Sequence, residues 1–315
     1  MQIILISIAV IALVSLLVLI TSYICFYMAF YNAEKNKTEK EAYSIPKGKI
    51  YEPHREQMIM WQKQIDDMPH ENVEVVSFDG LKLRGKYYEL DKKAPIELMM
   101  HGYRGNSRRD LCGGVNRAFE VGHNVLLIDQ RASGNSEGNV ISFGINESKD
   151  ALTWLGYLQN KFGEEVKVVL TGVSMGASTV IMCIERGLPK CVRGILADCG
   201  YSSTKDIIKK VIKQMHLPAN ILYPFVKLGA KIYGRFDLEE IVPLEAVKKS
   251  PVPILFAHGD VDDFVPYSMS VDCYNACTSE KRLVTIKGAG HGLCYPVARD
   301  EYKKALSEFF ANLKQ

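Results

Sequence analysis

The sequence predicts an α/β fold: a mostly parallel sheet with helices on both faces, a helical insertion late in the chain and an apolar N-terminal helix. Three observations carry this reading. Short apolar, β-branched runs alternate with helix-length stretches, the pattern of strands buried on both faces. One of those runs, Val166–Thr171, leads directly into a glycine-flanked serine, Gly172-Val173-Ser174-Met175-Gly176. Finally, Met1 to Ala33 carry no charged side chain.

From Ile3 to Ile20 the chain is almost purely Ile, Leu, Val and Ala, and it continues through Tyr23, Phe26, Tyr27 and Phe30. At ~1.5 Å per residue such a helix exceeds a ~30 Å hydrocarbon core, with its aromatics where an interface belt falls. A cleaved signal peptide fits less well, because no Lys or Arg precedes the run, the run is too long and no A-x-A site follows. Residues 1–31 are therefore expected to form a transmembrane helix. Lys35, Lys37 and Lys40 follow it and nothing basic precedes it, which by the positive-inside rule places the domain on the cytoplasmic side. Residues 32–71 are polar, contain Pro46, Pro53 and Pro69, and read as a juxtamembrane linker with one helix near Glu56–Asp66.

Residues 72–315 read as one large domain. Val73–Phe78 and Leu81–Tyr88 alternate around Asp79-Gly80, a strong hairpin signal. Strand-like runs then follow at Ile96–Met100, Val125–Asp129, Val166–Thr171, Gly194–Asp198, Ile254–His258 and Leu283–Ile286. Helical patterns such as Asp150–Phe162 and Tyr302–Leu313 fill the gaps. The gap between Asp198 and Ile254 is too long for one crossover helix. Within it, Ile207, Ile208, Val211, Ile212 and Met215 share a helical face, and a second apolar stretch follows Pro218. This cap, about 201–250, is expected to pack on the sheet and to line a pocket above the carboxyl ends of the strands.

The bulk composition excludes several function classes. The net charge of +3 over 315 residues is small, and no Lys/Arg-rich run interleaves with aromatics, so nucleic acid is not an expected partner. The 8 cysteines lack C-x-x-C pairs, and Cys273 and Cys277 have no accompanying histidine cluster. They read as structural thiols of a reducing compartment rather than a zinc site. No metal or cofactor motif is visible, and none is expected. No sequence signal sets an oligomeric state.

The chemistry lies in the order of three side chains. A serine hydroxyl needs a sharp turn to present it, a base beside it and an acid to orient the base. Ser174 sits in the strand-to-helix turn. Downstream come His258-Gly259-Asp260-Val261-Asp262-Asp263-Phe264-Val265-Pro266 and Gly288-Ala289-Gly290-His291-Gly292, each after a strand and on the same sheet edge. His291 is expected as the base. Asp262 is expected as the acid by its spacing from His258, with Asp260 and Asp263 as turn or surface residues. An oxyanion needs backbone N–H donors. Met175, after the serine, and Tyr103, in the His101-Gly102-Tyr103-Arg104-Gly105-Asn106 loop, are placed to supply them. His101 reads as a residue that orders that loop.

These pieces together resemble the α/β-hydrolase superfamily, specifically bacterial membrane-anchored serine hydrolases with a serine-aminopeptidase-like or acyl-esterase-like core. The Asp129–Ser136 stretch, D-Q-R-A-S-G-N-S, is similar to the family's D-x-R-G-x-G-x-S loop, with Ala132 in place of the usual glycine. The resemblance covers Asn72 to the C-terminus. It implies an eight-stranded sheet with the cap after strand six, and a small-molecule or lipid-like ester or thioester substrate cleaved through an acyl-enzyme. Two other readings remain: an aminopeptidase-like serine peptidase, and a catalytically silent membrane-tethered binding module.

Overall fold

The computed structural model describes residues 1–33 and 43–311. Lys35, Lys37 and Lys40, on which the expected orientation rests, lie outside them, as does Leu313 at the end of the expected last helix. The chain opens with α1 (Gln2–Phe30) and α2 (Arg55–Asp67). The strands are β1 (Glu71–Val76), β2 (Lys82–Tyr88), β3 (Ile96–Met100), β4 (Asn124–Ile128), β5 (Val168–Val173), β6 (Val192–Asp198), β7 (Ile254–Gly259) and β8 (Lys281–Ile286). Helices α3 (Ser107–Asp110) and α4 (Cys112–Glu120) follow β3, α5 (Ile145–Phe162) follows β4, and α6 (Met175–Met182) follows β5. The insertion after β6 holds α7 (Thr204–Gln214), α8 (Ala219–Ile232) and α9 (Pro243–Ala246). After β7 comes α10 (Tyr267–Ala276), and α11 (Cys294–Val297) and α12 (Arg299–Phe309) follow β8.

The strands form one 8-stranded sheet in the order β1-β2-β4-β3-β5-β6-β7-β8. Strand β2 pairs antiparallel with β1 and β4, and the remaining pairings are parallel. This is the α/β-hydrolase fold, entered through the expected hairpin. At its turn Gly80 takes φ 90°, a conformation a side chain would strain, and the Ser77 N–H donates to the Leu81 carbonyl at 2.8 Å. Every residue of β3 and β4 is buried, and alternate side chains enter different cores. Leu98, Met100, Leu126 and Ile128 join α5, α6 and the cap, while Met99, Val125 and Leu127 join α2, α4 and α12.

Two segments depart from the sequence reading. Helix α2, expected within a linker, is part of the second core. Its Trp61 is 4% exposed and stacks on Tyr295 with ring centroids 5.4 Å apart. The N-terminal helix also does two things. Its most apolar 18-residue window has a mean hydropathy of 3.4 and buries nothing, so it is long and apolar enough to cross a membrane. Its last turns instead dock on the domain, with Phe26 and Phe30 buried. Phe30 meets Phe143 and Phe236 edge-on, and burial of one such ring is worth about 2–3 kcal/mol. Docking is close because α8 presents Gly229, where a Cβ would collide with the Ser22 carbonyl oxygen. The Tyr233 hydroxyl then donates to the Leu19 carbonyl at 3.0 Å.

Candidate active site

Ser174 lies between β5 and α6 with φ 57° and ψ −120°, a backbone conformation that is costly for a non-glycine residue. Its flanking glycines have separate steric reasons. A Cβ at Gly172 would collide with the Gly176 backbone, and one at Gly176 would collide with the Met100 carbonyl. The Ser174 N–H donates to the Asp198 carbonyl at 2.8 Å, tying the turn to β6. The hydroxyl is thereby held at the carboxyl edge of the sheet, 8% exposed for the residue.

The structure brings Ser174, His291 and Asp262 together. His291, in the loop after β8, accepts from the Ser174 hydroxyl at Nε2 across 2.8 Å. Its Nδ1–H donates to Asp262 Oδ2 at 2.7 Å. Asp262, in the turn after β7, also accepts at Oδ1 from the N–H groups of Phe264 and Val265. Burial alone would raise this carboxyl. The hydrogen bonds from His258 and His291, the His291 charge and the Val265 amide outweigh burial and hold it well below the usual carboxylate range. Asp262 therefore stays an anion beside the imidazole. Asp260 caps a turn, accepting from Gly288 N–H at 2.6 Å, and Asp263 is exposed.

His258 has a place the spacing argument did not give it. It is fully buried, accepts from the Ser270 hydroxyl at Nδ1 (2.7 Å) and directs its Nε2–H at the Val265 carbonyl (3.0 Å) and Asp262 Oδ2 (3.2 Å). The H-G-x-x-D spacing contained that signal, since residues four apart across a tight turn can meet.

On the other side of Ser174, the loop after β3 brings Gly102 against its Cβ. The Tyr103 N–H donates to no group among the described residues, and Met175 N–H is the first amide of α6, where a helix leaves donors unpaired. His101 orders the loop as expected: its Nδ1–H donates to the Gly102 carbonyl and its Nε2 accepts from Gln130 N–H. Asp129 holds the neighbouring turn, accepting from Ser107 and Asn135, and a Cβ at Gly134 would collide with its carboxylate. Ala132 takes φ 59°, a left-handed conformation that a glycine would adopt without strain.

A cavity of about 730 Å³ opens over Ser174 and His291. Its walls correct the sequence reading. Among the described residues, none from 201–250 lines it; Tyr27, Met28 and Tyr31 at the end of α1 do, with Tyr51, Met58 and Phe264. The cap acts one layer back, holding α1 in place through α8. Tyr103 and Arg104 face α1 as well. The Tyr103 hydroxyl donates to the Ala29 carbonyl at 2.7 Å, and Arg104 Nη2 donates to the Met28 and Tyr31 carbonyls at 2.8 and 3.0 Å.

A metal would find no ready ligand set here. Cys199, Asp262 and His291 place ligand atoms within 4.8 Å of one another. Asp262 and His291 are already bonded to each other, however, and burial with the nearby carboxylates of Asp198 and Asp262 pushes the Cys199 thiol well above its usual range. All eight cysteines are free thiols, and Cys112 and Cys183 are pushed up to about 12, chiefly by burial.

Comparison with known proteins agrees with the fold. Residues 141–315 match the model of the prolyl oligopeptidase family. The Bacillus subtilis protein YqkD is 28% identical over 62% of this chain and 64% of its own length. Among solved structures, the Pyrococcus furiosus esterase Pf2001 superposes with a TM-score of 0.63 at 23% identity, covering 79% of this chain and 94% of that one. A Pyrococcus horikoshii acylaminoacyl peptidase superposes with a TM-score of 0.56 at 16% identity over 79% of this chain and 43% of its own. At these identities the two structural likenesses are of fold.

Proposed function

Because the chain belongs to the prolyl oligopeptidase family and is an α/β hydrolase, we propose that it is a membrane-anchored serine hydrolase that cleaves carboxylic esters or thioesters through an acyl-enzyme. The observation that carries the reading is the contact of Ser174 Oγ with His291 Nε2 at 2.8 Å, at the floor of the cavity. His291 takes the proton as Ser174 Oγ bonds to the carbonyl carbon, and Asp262 stabilises the imidazolium. The amides of Tyr103 and Met175 hold the oxyanion. As the acyl bond to the alcohol or thiol breaks, His291 gives that group the proton. Water then attacks the acyl-enzyme, His291 takes its proton and returns it to Ser174, and the acid leaves.

An ester or thioester is favoured over a peptide by the charges in the cavity. Asp110 is a wall carboxylate, and Arg109 neutralises it at 2.7 Å, which leaves it poorly suited to gripping a free amino terminus. The test is turnover of nitrophenyl esters of increasing chain length against aminoacyl nitroanilides, with Ser174→Ala as control. Ester turnover that Ser174→Ala abolishes is expected. Anilide turnover without ester turnover would instead favour the peptidase, and no turnover of either would favour the silent module.

A further inference from the structure

Helix α1 is one continuous element from its exposed apolar end to the wall of the cavity. Ile3 to Ser22, at ~1.5 Å per residue, is about 30 Å long, the thickness of a hydrocarbon core. At the end of that length stand Tyr23 and Tyr233, edge-on at 5.2 Å, with Lys231 and Arg235 exposed beside them. Aromatic and basic side chains of this kind settle at a membrane–water interface. Tyr27 and Met28 lie roughly 6 to 8 Å further along the helix, a headgroup layer's thickness. Both are about half exposed, at 46% and 53%, and both line the cavity over Ser174.

The connection is rigid. Beyond the Tyr103 and Arg104 bonds to Met28, Ala29 and Tyr31, the Ile141 N–H donates to the Phe30 carbonyl at 2.8 Å and Asn32 Nδ2 donates to the Ala132 carbonyl at 2.8 Å. The loop bearing the Tyr103 amide, and the loop after β4, therefore both grip the end of the membrane helix. A flexible tether would leave the cavity free to turn toward bulk water. This clamp fixes it at the depth of the headgroups.

We infer that the last two turns of α1 are part of the substrate site, and that the ester entering it is carried by a membrane lipid whose acyl chain lies along Tyr27, Met28 and Tyr31. This rests on the hydrolase reading above and adds to it the substrate class and the route. The helix that anchors the protein is then also the wall along which substrate leaves the bilayer.

The test uses the full chain in phosphatidylcholine vesicles with two esters, water-soluble nitrophenyl butyrate and umbelliferyl oleate embedded in the vesicles. Gly229→Leu is chosen because its side chain would drive α1 off α8 at Ser22 while lying outside the cavity lining. The ratio of oleate to butyrate turnover is expected to fall at least tenfold in this variant. An unchanged ratio would overturn the inference, as would wild-type protein that cleaves butyrate and leaves the vesicle oleate untouched. Failure of the wild type on both esters would instead overturn the hydrolase reading beneath it. Should Gly229→Leu not fold, as judged by loss of fluorophosphonate labelling, Tyr233→Ala removes the Leu19 bond and the Tyr23 and Phe26 contacts, and the same ratio decides.

Discussion

His258 Nε2 and His291 Nδ1 converge on one oxygen, Asp262 Oδ2, at 3.2 and 2.7 Å. His258 is buried and bonds Asp262 rather than Ser174, so in the proposed machinery its role would be to position Asp262. Replacing it by Asn keeps a polar side chain there and removes the Nε2 donor. His258→Asn is expected to lower kcat about 10- to 100-fold with little change in KM, and to raise the pH of the acidic limb of the kcat profile. The Asp262 carboxylate loses one of the bonds that hold it anionic. A parallel loss in both parameters, with an unmoved pH profile, would make His258 merely structural.

The three neighbouring aspartates separate cleanly by environment. Asp262 alone contacts an imidazole of the proposed machinery, whereas Asp260 binds a backbone amide and Asp263 is exposed. Asp262→Asn is expected to reduce kcat by roughly 10⁴, because the amide favours the wrong imidazole tautomer. Asp260→Asn and Asp263→Asn should stay within about threefold of wild type, as the loss of an exposed charge changes little. Steady-state kinetics on a short nitrophenyl ester compares all three.

Glu97 in β3 is a charge buried within the sheet. It is 2% exposed and accepts from both Arg117 Nη atoms, from His123 Nδ1 and from the Thr171 hydroxyl. Burial would raise its pKa, but the Arg117 charge and the His123 and Arg117 hydrogen bonds reverse this and take it from 4.5 down to about 2. The sign follows from that direction. A depressed carboxyl stabilises the fold fully above pH 4.5, and the contribution is lost as pH falls toward 2. Glu97→Gln strands Arg117 and is expected to cost about 3–5 kcal/mol, a drop in Tm of roughly 10 °C. Acid unfolding of the wild type followed by circular dichroism checks the pH window, and thermal melts of the variant at pH 7 check the magnitude.

The buried thiols give a chemical reading of the same packing. Cys112 and Cys183 are pushed up to about 12, chiefly by burial, so at pH 8 they remain protonated and shielded. Ellman's reagent is expected to modify them only on unfolding by guanidinium. Rapid reaction of either in the native protein would contradict the packing around α4 and α6.

What could be read from the sequence was local. Gly172 announces a turn because a Cβ there would meet the Gly176 backbone four residues on, and the apolar runs of β3 to β7 stand out because burial on both faces favours apolar residues. Tertiary partnerships left no such mark. Glu97 looks like a fault in an apolar strand until Arg117 and His123 come from elsewhere to meet it. Gly229 looks like a weak point in α8 until Ser22 arrives from more than two hundred residues away. The cap's apolar faces were visible, but not that α8 would spend its face on α1. For that reason the cavity wall was expected in 201–250 and stands instead at Tyr27, Met28 and Tyr31. Helix α2 was expected as a helix but not as part of a core, because its partners for Met58, Trp61 and Ile65 come from distant segments such as Tyr295.

The central claim is that Ser174 is a nucleophile activated by His291. It is tested most directly by fluorophosphonate labelling of the folded protein, with the adduct located by peptide mass spectrometry and its rate of formation compared in His291→Ala. The account predicts an adduct on Ser174 that forms at least 10³-fold more slowly once the imidazole is removed. A folded wild-type chain that carries no adduct, or carries it on a different serine, would contradict it.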